Sequence, residues 1–310
     1  MRHKLVLINC LVMFSIVSNC WAKTSPGTAG APFLKIGVGA KAVAMGEAFS
    51  ALADDITAVY WNPAGLVQIT KPEISMMYND WFEGVGHGFL GFGVPTSRKK
   101  AIGFSVIHLG VGNIPGYKDG DVKSQPESTG NFSVRDTAFA FTYASAITEA
   151  ISIGMTIKGI VQKIENEEAS SFAIDLGQLY QTPIDGLTLS TVLQNVGPRI
   201  KFSSEGDKLP LTLKLGSAYR LGVQPLTITC DLTKPTDNDW KMNLGMELWF
   251  KQLLALRGGF NSQVFKDLGT GITGGFGFTI KHYQIDYAFV PYDELGNTHR
   301  LSITFRFDAQ

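Results

Sequence analysis

Apolar and polar residues alternate in short segments along most of this chain. In the segment 301–307, leucine, isoleucine and phenylalanine occupy the odd positions, and serine, threonine and arginine occupy the even ones. Segments 240–250 and 151–158 show the same period of two. Because successive side chains of a strand point to opposite faces, this period predicts strands with one apolar and one polar face.

Fourteen such segments follow one another from residue 73 onward, separated by clusters of Gly, Pro, Asn and Asp. They are 73–82, 86–95, 101–109, 134–145, 151–163, 171–181, 187–196, 211–221, 225–233, 240–250, 253–261, 269–281, 283–292 and 298–307. Most have about the 9–11 residues that a tilted strand needs to cross a bilayer, and an even number allows antiparallel closure. The pattern predicts an all-β fold.

A soluble β-sandwich or barrel also has alternating strands, and three features favour a transmembrane barrel instead. The segments are long for a soluble sheet, a targeting sequence precedes them, and aromatic residues cluster at segment ends. These aromatic residues are Tyr78, Trp81, Phe82, Trp240, Trp249, Phe250 and Tyr292. The sequence therefore predicts a transmembrane antiparallel β-barrel of about fourteen strands in the bacterial outer membrane, surrounded by lipid.

Charged residues of both signs occupy the face opposite the apolar one. They are Lys158, Asp175, Lys214, Arg220, Asp231, Lys241, Glu247, Arg257, Asp286, Arg300 and Arg306. If the apolar faces meet lipid, these side chains point inward, where charge is tolerated only when it is hydrated or paired. We therefore expect a polar lumen crossed by ion pairs.

The N-terminus has the features of a secretory signal peptide. Basic residues at 2–4 precede an apolar stretch, and small residues allow cleavage after Ala22. The alternative is a lipoprotein signal acylated at Cys20, which the preceding Asn19 disfavours because a small residue is expected there. We expect a signal peptide over residues 1–22.

Composition limits the possible functions. Only 17% of the residues are charged, and the formal net charge is +0. Nucleic-acid-binding proteins usually carry a basic excess, so we expect no nucleic-acid partner. Cleavage after Ala22 removes Cys10 and Cys20 and leaves Cys230 alone, so no internal disulfide is expected.

Residues 23–72, which we call the hatch, differ from the rest of the chain. They are rich in Ala and lack the period of two, and residues 40–52 are spaced for a short helix that includes Met45 and Gly46. The run Asn62, Pro63, Ala64, Gly65 predicts a tight turn. A compact helical segment before the barrel of residues 73–310 suits a plug within its lumen.

Two adjacent acids of the hatch, Asp54 and Asp55, allow two interpretations. They form a titratable pair in the lumen, or they cap the next helical turn and pair with Lys35 or Lys41. The second is favoured because adjacent acids most often serve as caps.

Two long connections, Gly110–Ser133 and Pro198–Pro210, are rich in Pro, Gly and Ser. Long loops of such barrels lie outside the cell, so these are candidates for contact with a partner.

Motifs for catalysis or cofactor binding lack their structural context. Residues 37–42 and 269–274 imitate dinucleotide fingerprints, but neither lies between a buried strand and a helix. The histidines show no metal-ligand spacing, and no Gly-x-Ser-x-Gly elbow is present. We expect no enzymatic activity, no catalytic residues, no metal and no cofactor.

The hatch also carries a specific resemblance. GVGAKAVAMGEAFSALADD followed by VYWNPAGL is similar to the N-terminal signature of the PorV/PorQ family of outer-membrane proteins, which is related to FadL-type transporters. Further similar segments are ASSFAIDLGQLY (169–180), LQNVGPRIKF (193–202), LPLTLKLGSAY (209–219), LALRGGF (254–260) and DYAFVPYDELGNTHRLSITF (286–305). Glu47 departs from this pattern, because the family usually has a second glycine there.

The resemblance implies a fourteen-stranded barrel with an internal hatch. It also implies a role in type IX protein secretion, with exported cargo proteins and a translocon as partners. FadL relatives move hydrophobic molecules, so transport of a hydrophobic solute is the alternative. A structural barrel without transport is a third class.

Overall fold

The computed structural model describes residues 27–118, 127–202, 205–222, 225–267 and 269–308; the predicted signal peptide at 1–22 lies outside them. The strands in the described residues are β1 (Glu73–Asp80), β2 (Gly86–Ser97), β3 (Lys100–Lys118), β4 (Glu127–Ala146), β5 (Ile151–Ile164), β6 (Glu167–Gln181), β7 (Leu187–Val196), β8 (Ile200–Lys201), β9 (Gly206–Asp207), β10 (Thr212–Leu221), β11 (Leu226–Pro235), β12 (Lys241–Phe250), β13 (Leu254–Asn261), β14 (Ile272–Ile280), β15 (Tyr283–Pro291) and β16 (Asn297–Arg306). The helices are α1 (Ala40–Ala44), α2 (Ala58–Trp61) and α3 (Ser262–Asp267), and 3-10 turns cover Pro32–Lys35, Pro63–Gln68, Phe82–Gly84 and Asp293–Leu295.

Fourteen of these strands form one closed antiparallel barrel. β1 to β7 and β10 to β16 each pair with their neighbours in chain order, and β1 closes the barrel against β16. The closing register runs from Glu73 opposite Arg306 to Asp80 opposite His299. Each of the fourteen predicted segments corresponds to one barrel strand, so the predicted fold is confirmed.

The barrel wall is apolar outside and polar inside. In β1, Met76 is 56% exposed while its neighbour Ser75 is buried, and in β4 the outward Phe141 follows the inward Ala140 and precedes the buried Thr142. Closure pairs the strand edges, so every wall strand has a hydrogen-bonded neighbour on both sides. An apolar belt around a polar interior is what a strand-built membrane span requires.

Both predicted connections join barrel strands, and one of them is more regular than predicted. The described residues of Gly110–Ser133 continue β3 and β4 as paired strands, whereas Pro198–Pro210 connects β7 to β10 and contains the two-residue strands β8 and β9. Asn113, at φ 58°, lies in the register shift between Val111 and Ile114. Glycine and proline suggested a loop, but a hairpin beyond the barrel has open edges that tolerate them.

The hairpin formed by residues 111–118 and 127–133, which we call the arm, marks one end of the barrel. The opposite end holds short turns such as 98–99 and 281–282, together with the end of β16. In barrels of this type the short turns face the periplasm. The arm therefore lies at the extracellular end.

The described part of the hatch, from residue 27 onward, lies inside the barrel. α1 packs against β13 to β16, and the 3-10 turn Pro63–Gln68 packs against β3 to β6 on another part of the wall. None of the helices in the described residues has the length and apolar composition of a membrane-spanning helix.

Candidate functional site

The hatch helix is shorter than predicted. α1 ends at Ala44, and Gly46 and Glu47 adopt positive φ angles of 64° and 67°, so a helix over residues 40–52 is wrong beyond Ala44. A Cβ atom on Gly46 would lie 2.6 Å from the Leu244 oxygen and the Phe260 nitrogen. The wall leaves room for glycine alone and turns the chain away from helical geometry.

Two glycines of the barrel wall lie directly against Met45 and Gly46 of the hatch. A Cβ atom on Gly259 would lie 2.1 Å from the Gly46 nitrogen, and one on Gly245 would lie 2.6 Å from the Met45 oxygen. Thr273 accepts a hydrogen bond from the Gly46 nitrogen at 3.0 Å and donates one to the Ala44 oxygen at 3.0 Å. The predicted hatch residues Met45 and Gly46 are thus fixed to β12, β13 and β14.

Asn62 is the centre of the predicted hatch turn and is fully buried. Its Nδ2 donates to the oxygens of Ser50 at 2.8 Å and Gln178 at 3.2 Å. Its Oδ1 accepts from the Ala64 nitrogen at 3.0 Å, which caps the 3-10 turn. One side chain therefore closes the turn and attaches it to β6.

Two glycines of the barrel wall, Gly154 and Gly177, pack directly against this turn. A Cβ atom on Gly177 would lie 2.1 Å from Asn62 Oδ1, and one on Gly154 would lie 2.3 Å from the Pro63 carbonyl carbon. Within the hatch, a Cβ atom on Gly65 would lie 2.2 Å from the Ala53 oxygen. The turn fits the wall without a gap for even one methyl group.

The two acids divide the roles that the sequence left open. Asp54 forms ion pairs with Lys41 at 2.7 Å and Arg220 at 3.5 Å. Asp55 Oδ1 accepts a hydrogen bond from the Thr57 nitrogen at 2.8 Å, next to the start of α2. Asp55 closes the turn that leads into α2, whose N-cap position is Thr57, and Asp54 is the ion-pair partner. Lys35 pairs elsewhere, with Asp237 at 2.6 Å.

The protonation of this group follows from burial and charge. Burial would raise the pKa of the Asp54 carboxyl, but the Lys41 ammonium outweighs it and holds the pKa below its ordinary value. Burial raises the pKa of Asp55. Burial would lower the pKa of Lys41, but Asp54 and Glu247 raise it above its ordinary value. The Lys41–Asp54 pair is therefore charged at neutral pH.

Ion pairs cross the lumen, as the charge pattern predicted. Arg257, whose side chain is fully buried, donates from Nε to Glu247 and from Nη1 to Asp286, both at 2.7 Å. Lys158 and Asp175 form a second buried pair at 2.8 Å. These charges are stable inside the barrel because each has an opposite charge within hydrogen-bonding distance.

Several wall residues that hold the hatch were missed from sequence. Asp231 accepts hydrogen bonds from the Phe49 and Ser50 nitrogens at 3.2 and 2.9 Å. Gln194 donates to the Tyr60 oxygen at 2.5 Å, and the Lys214 ammonium lies 4.5 Å from the centre of the Trp61 ring. Their inward position was predictable from strand alternation, but their hatch partners were not.

These observations define a class of protein: an outer-membrane β-barrel whose lumen is filled by its own N-terminal hatch. The chain belongs to the family described as Type IX secretion system protein PorV, whose model matches residues 22–234. A search of curated proteins found no match.

Solved structures with the same fold include hydrocarbon transporters. The Pseudomonas putida toluene transporter TodX is 11% identical, with 86% of this chain and 96% of that chain covered and a TM-score of 0.63. The monoaromatic hydrocarbon channel CymD is 12% identical, with 88% and 98% covered and a TM-score of 0.64. A FadL homologue of Pseudomonas aeruginosa is 14% identical, with 93% and 99% covered and a TM-score of 0.57. At these identities the likeness shows the fold alone.

Proposed function

We propose that this chain is a non-enzymatic component of type IX protein secretion that binds exported protein partners at its extracellular end. Family membership supports secretion as the process. The observation that carries the proposed role is the fit of the hatch to the barrel wall, which fills the lumen and leaves the outer surfaces for function.

Moving the hatch to open a path through the lumen requires free energy, because several contacts with the wall must break. The hatch is held by hydrogen bonds from Asp231, Asn62 and Thr273, and each buried bond contributes about 1 kcal/mol. Glycine contacts at Gly177 and Gly259 leave no space at the wall. A solute would have to displace several of these contacts together, so a shuttle or docking role suits this structure better than a pore.

The arm supplies an external surface for partners. Beyond Gly110, β3 extends past its last paired residue with β2, and before Val134, β4 extends past its last paired residue with β5. Tyr117 on the arm is 61% exposed. A projecting hairpin with an exposed aromatic residue is the kind of surface that contributes binding energy to protein interfaces.

The test is affinity purification of the tagged full-length protein from gently solubilised outer membranes, followed by mass spectrometry. We expect recovery of large translocon components or of exported proteins that share a C-terminal domain. Tyr117→Ala is expected to reduce this recovery several-fold. Ile184→Ala, at an equally exposed residue of a periplasmic turn, is the matched control and should leave it unchanged. A barrel that recovers only lipid or fatty acid contradicts the proposal.

Transport of a hydrophobic solute is the second candidate, favoured by the fold shared with TodX and CymD. Locking the hatch separates the two functions. Ser50 Oγ of the hatch lies 2.8 Å from Ser190 Oγ on β7, so Ser50→Cys with Ser190→Cys places two thiols side by side. Cys230→Ser removes the competing thiol from the mature chain.

If the hatch stays closed during function, secretion by the oxidised and reduced forms of this variant will be equal. If a solute passes the hatch, uptake of a hydrophobic probe will stop on oxidation and return on reduction. Loss of secretion on oxidation would contradict a closed hatch. The Ser50→Cys single variant, treated in the same way, controls for oxidation elsewhere.

A further inference from the structure

A furrow runs along the outer face of the barrel over β16 and β1 to β4. It exists because Gly86 and Gly88 on β2 and Gly110 and Gly112 on β3 present no side chain to the outside. Its two adjoining parts have volumes of about 540 and 390 Å³ and share Tyr78, Gly88 and His108 among their lining residues. Further along β2 to β4 the outward positions carry large apolar side chains such as Phe92, Phe104 and Phe141, which line a separate crevice.

The lower part of the furrow is apolar. Its walls are Met76, Leu90, Val106, Leu301 and Ile303, all on the lipid-facing side. This part runs down the membrane-facing wall from the extracellular side, and its shape and chemistry suit a hydrocarbon chain. A hydrocarbon chain in the furrow gains van der Waals contacts with these side chains, because a gap beside the wall leaves its lining atoms without partners.

The upper part of the furrow holds its polar side chains, Tyr78, His108, Ser133 and the cationic Arg135. Arg135 lies beside it, next to Gly110 across the strand pair, and His108 Nδ1 forms a hydrogen bond with Thr137 Oγ1 at 3.0 Å. Lys163 is the cross-strand neighbour of Arg135 on β5. Within the described residues, no carboxylate lies within ion-pair distance of either Arg135 or Lys163.

Two acidic residues border the same row of outward positions. Glu168 is opposite Lys163 in the register with β6, whereas Asp80 is separated from Arg135 by Gly86 and Gly110. Arg135 therefore has no acidic cross-strand neighbour and is the cation that lines the furrow. Arginine favours phosphate because its guanidinium offers paired donors, and a cation at the membrane boundary attracts anionic headgroups.

We propose that this furrow binds a phosphorylated acyl lipid of the outer leaflet. The phosphate contacts Arg135 and His108, with Lys163 beside them, and one acyl chain follows the glycine furrow past Gly88 to Leu90 and Ile303. Placement of the arm outside the cell puts the cationic part at the level of the outer-leaflet headgroups. The site is separate from the hatch, and its upper end meets the base of the arm at Gly112.

The test is native mass spectrometry of delipidated protein in detergent, titrated with phosphatidylglycerol or with diacylglycerol of the same acyl chains. Gly88→Leu fills the furrow, and we expect the variant to fold because the added Cβ atom meets only the Met77 oxygen, at 3.8 Å. Arg135→Gln removes the phosphate contact. Gly258→Leu on β13 adds the same side chain where a Cβ atom meets nothing within 4 Å.

We expect each of Gly88→Leu and Arg135→Gln to weaken phosphatidylglycerol binding about tenfold. Gly88→Leu acts by displacing the acyl chain, and Arg135→Gln acts by removing a charge-assisted hydrogen bond to the phosphate. Gly258→Leu should bind like the unmodified protein, and diacylglycerol should bind more weakly and not respond to Arg135→Gln. Equal binding by all variants, or equal affinity for both lipids, overturns the proposal. Unchanged lipid binding by Gly88→Leu combined with loss of a membrane-protein partner would assign the furrow to that protein instead.

Discussion

Replacement of Arg257 by methionine is expected to lower the free energy of unfolding by about 4 kcal/mol, the largest effect of any single substitution considered. The guanidinium is fully buried between Glu247 and Asp286, with both contacts at 2.7 Å. Its removal leaves two carboxylates facing each other inside the barrel without their shared counter-charge. The measurement is denaturant-induced unfolding in detergent micelles, followed by tryptophan fluorescence.

A triple variant separates this charge effect from lost packing. Arg257→Met combined with Glu247→Gln and Asp286→Asn removes all three charges, and neutral replacement of a complete buried cluster costs much less than removal of one partner. The triple variant is therefore expected to be more stable than Arg257→Met alone. If it is equally unstable, Arg257 acts through its packing and the electrostatic explanation is wrong.

Valine in place of Gly177 is expected to displace the hatch turn and lower the free energy of unfolding by about 3 kcal/mol. Its Cβ atom would lie 2.1 Å from Asn62 Oδ1 and 2.8 Å from Pro63 Cδ, so the turn must move away from β6. Movement breaks the bond from Asn62 Nδ2 to the Gln178 oxygen. Trp61 directly precedes this turn, and a red shift of its fluorescence together with tryptic cleavage at Lys41 will report the change.

Gly159→Val on β5 is the matched control, because a Cβ atom there meets nothing within 4 Å. It introduces the same side chain into the neighbouring strand on the outward face. Its stability and its resistance to trypsin should match those of the unmodified protein. If Gly177→Val is equally resistant, the hatch turn does not depend on the close fit to β6.

The barrel was predictable because strand alternation is a local property. Segment 301–307 shows its lipid-facing residues directly in the sequence, and the same period places Arg257 and Asp286 on the inward face. The apolar solvent outside and the polar lumen inside impose this pattern on each strand separately. No knowledge of neighbouring strands was needed to count fourteen of them.

The structure of the arm could not be predicted from local residue preferences. Glycine and proline between Gly110 and Ser133 predicted a loop, since both interrupt strands inside a sheet. There the chain pairs only with its own return strand, and open edges accept Pro115 and a bulge at Asn113. Pairing partners beyond the barrel end are not encoded in the segment itself.

The sequence by itself determined the outer-membrane barrel, its inward charges and the presence of a hatch with a turn at Asn62. Tertiary structure alone decided the rest: helix α1 stops at Ala44 because the wall at Leu244 and Phe260 admits only a glycine with positive φ. It also decided that Asp54 pairs with Lys41 while Asp55 caps a turn. The physical reason is that solvent selects each strand's faces residue by residue, whereas the fit between hatch and wall depends on contacts between residues far apart in the chain.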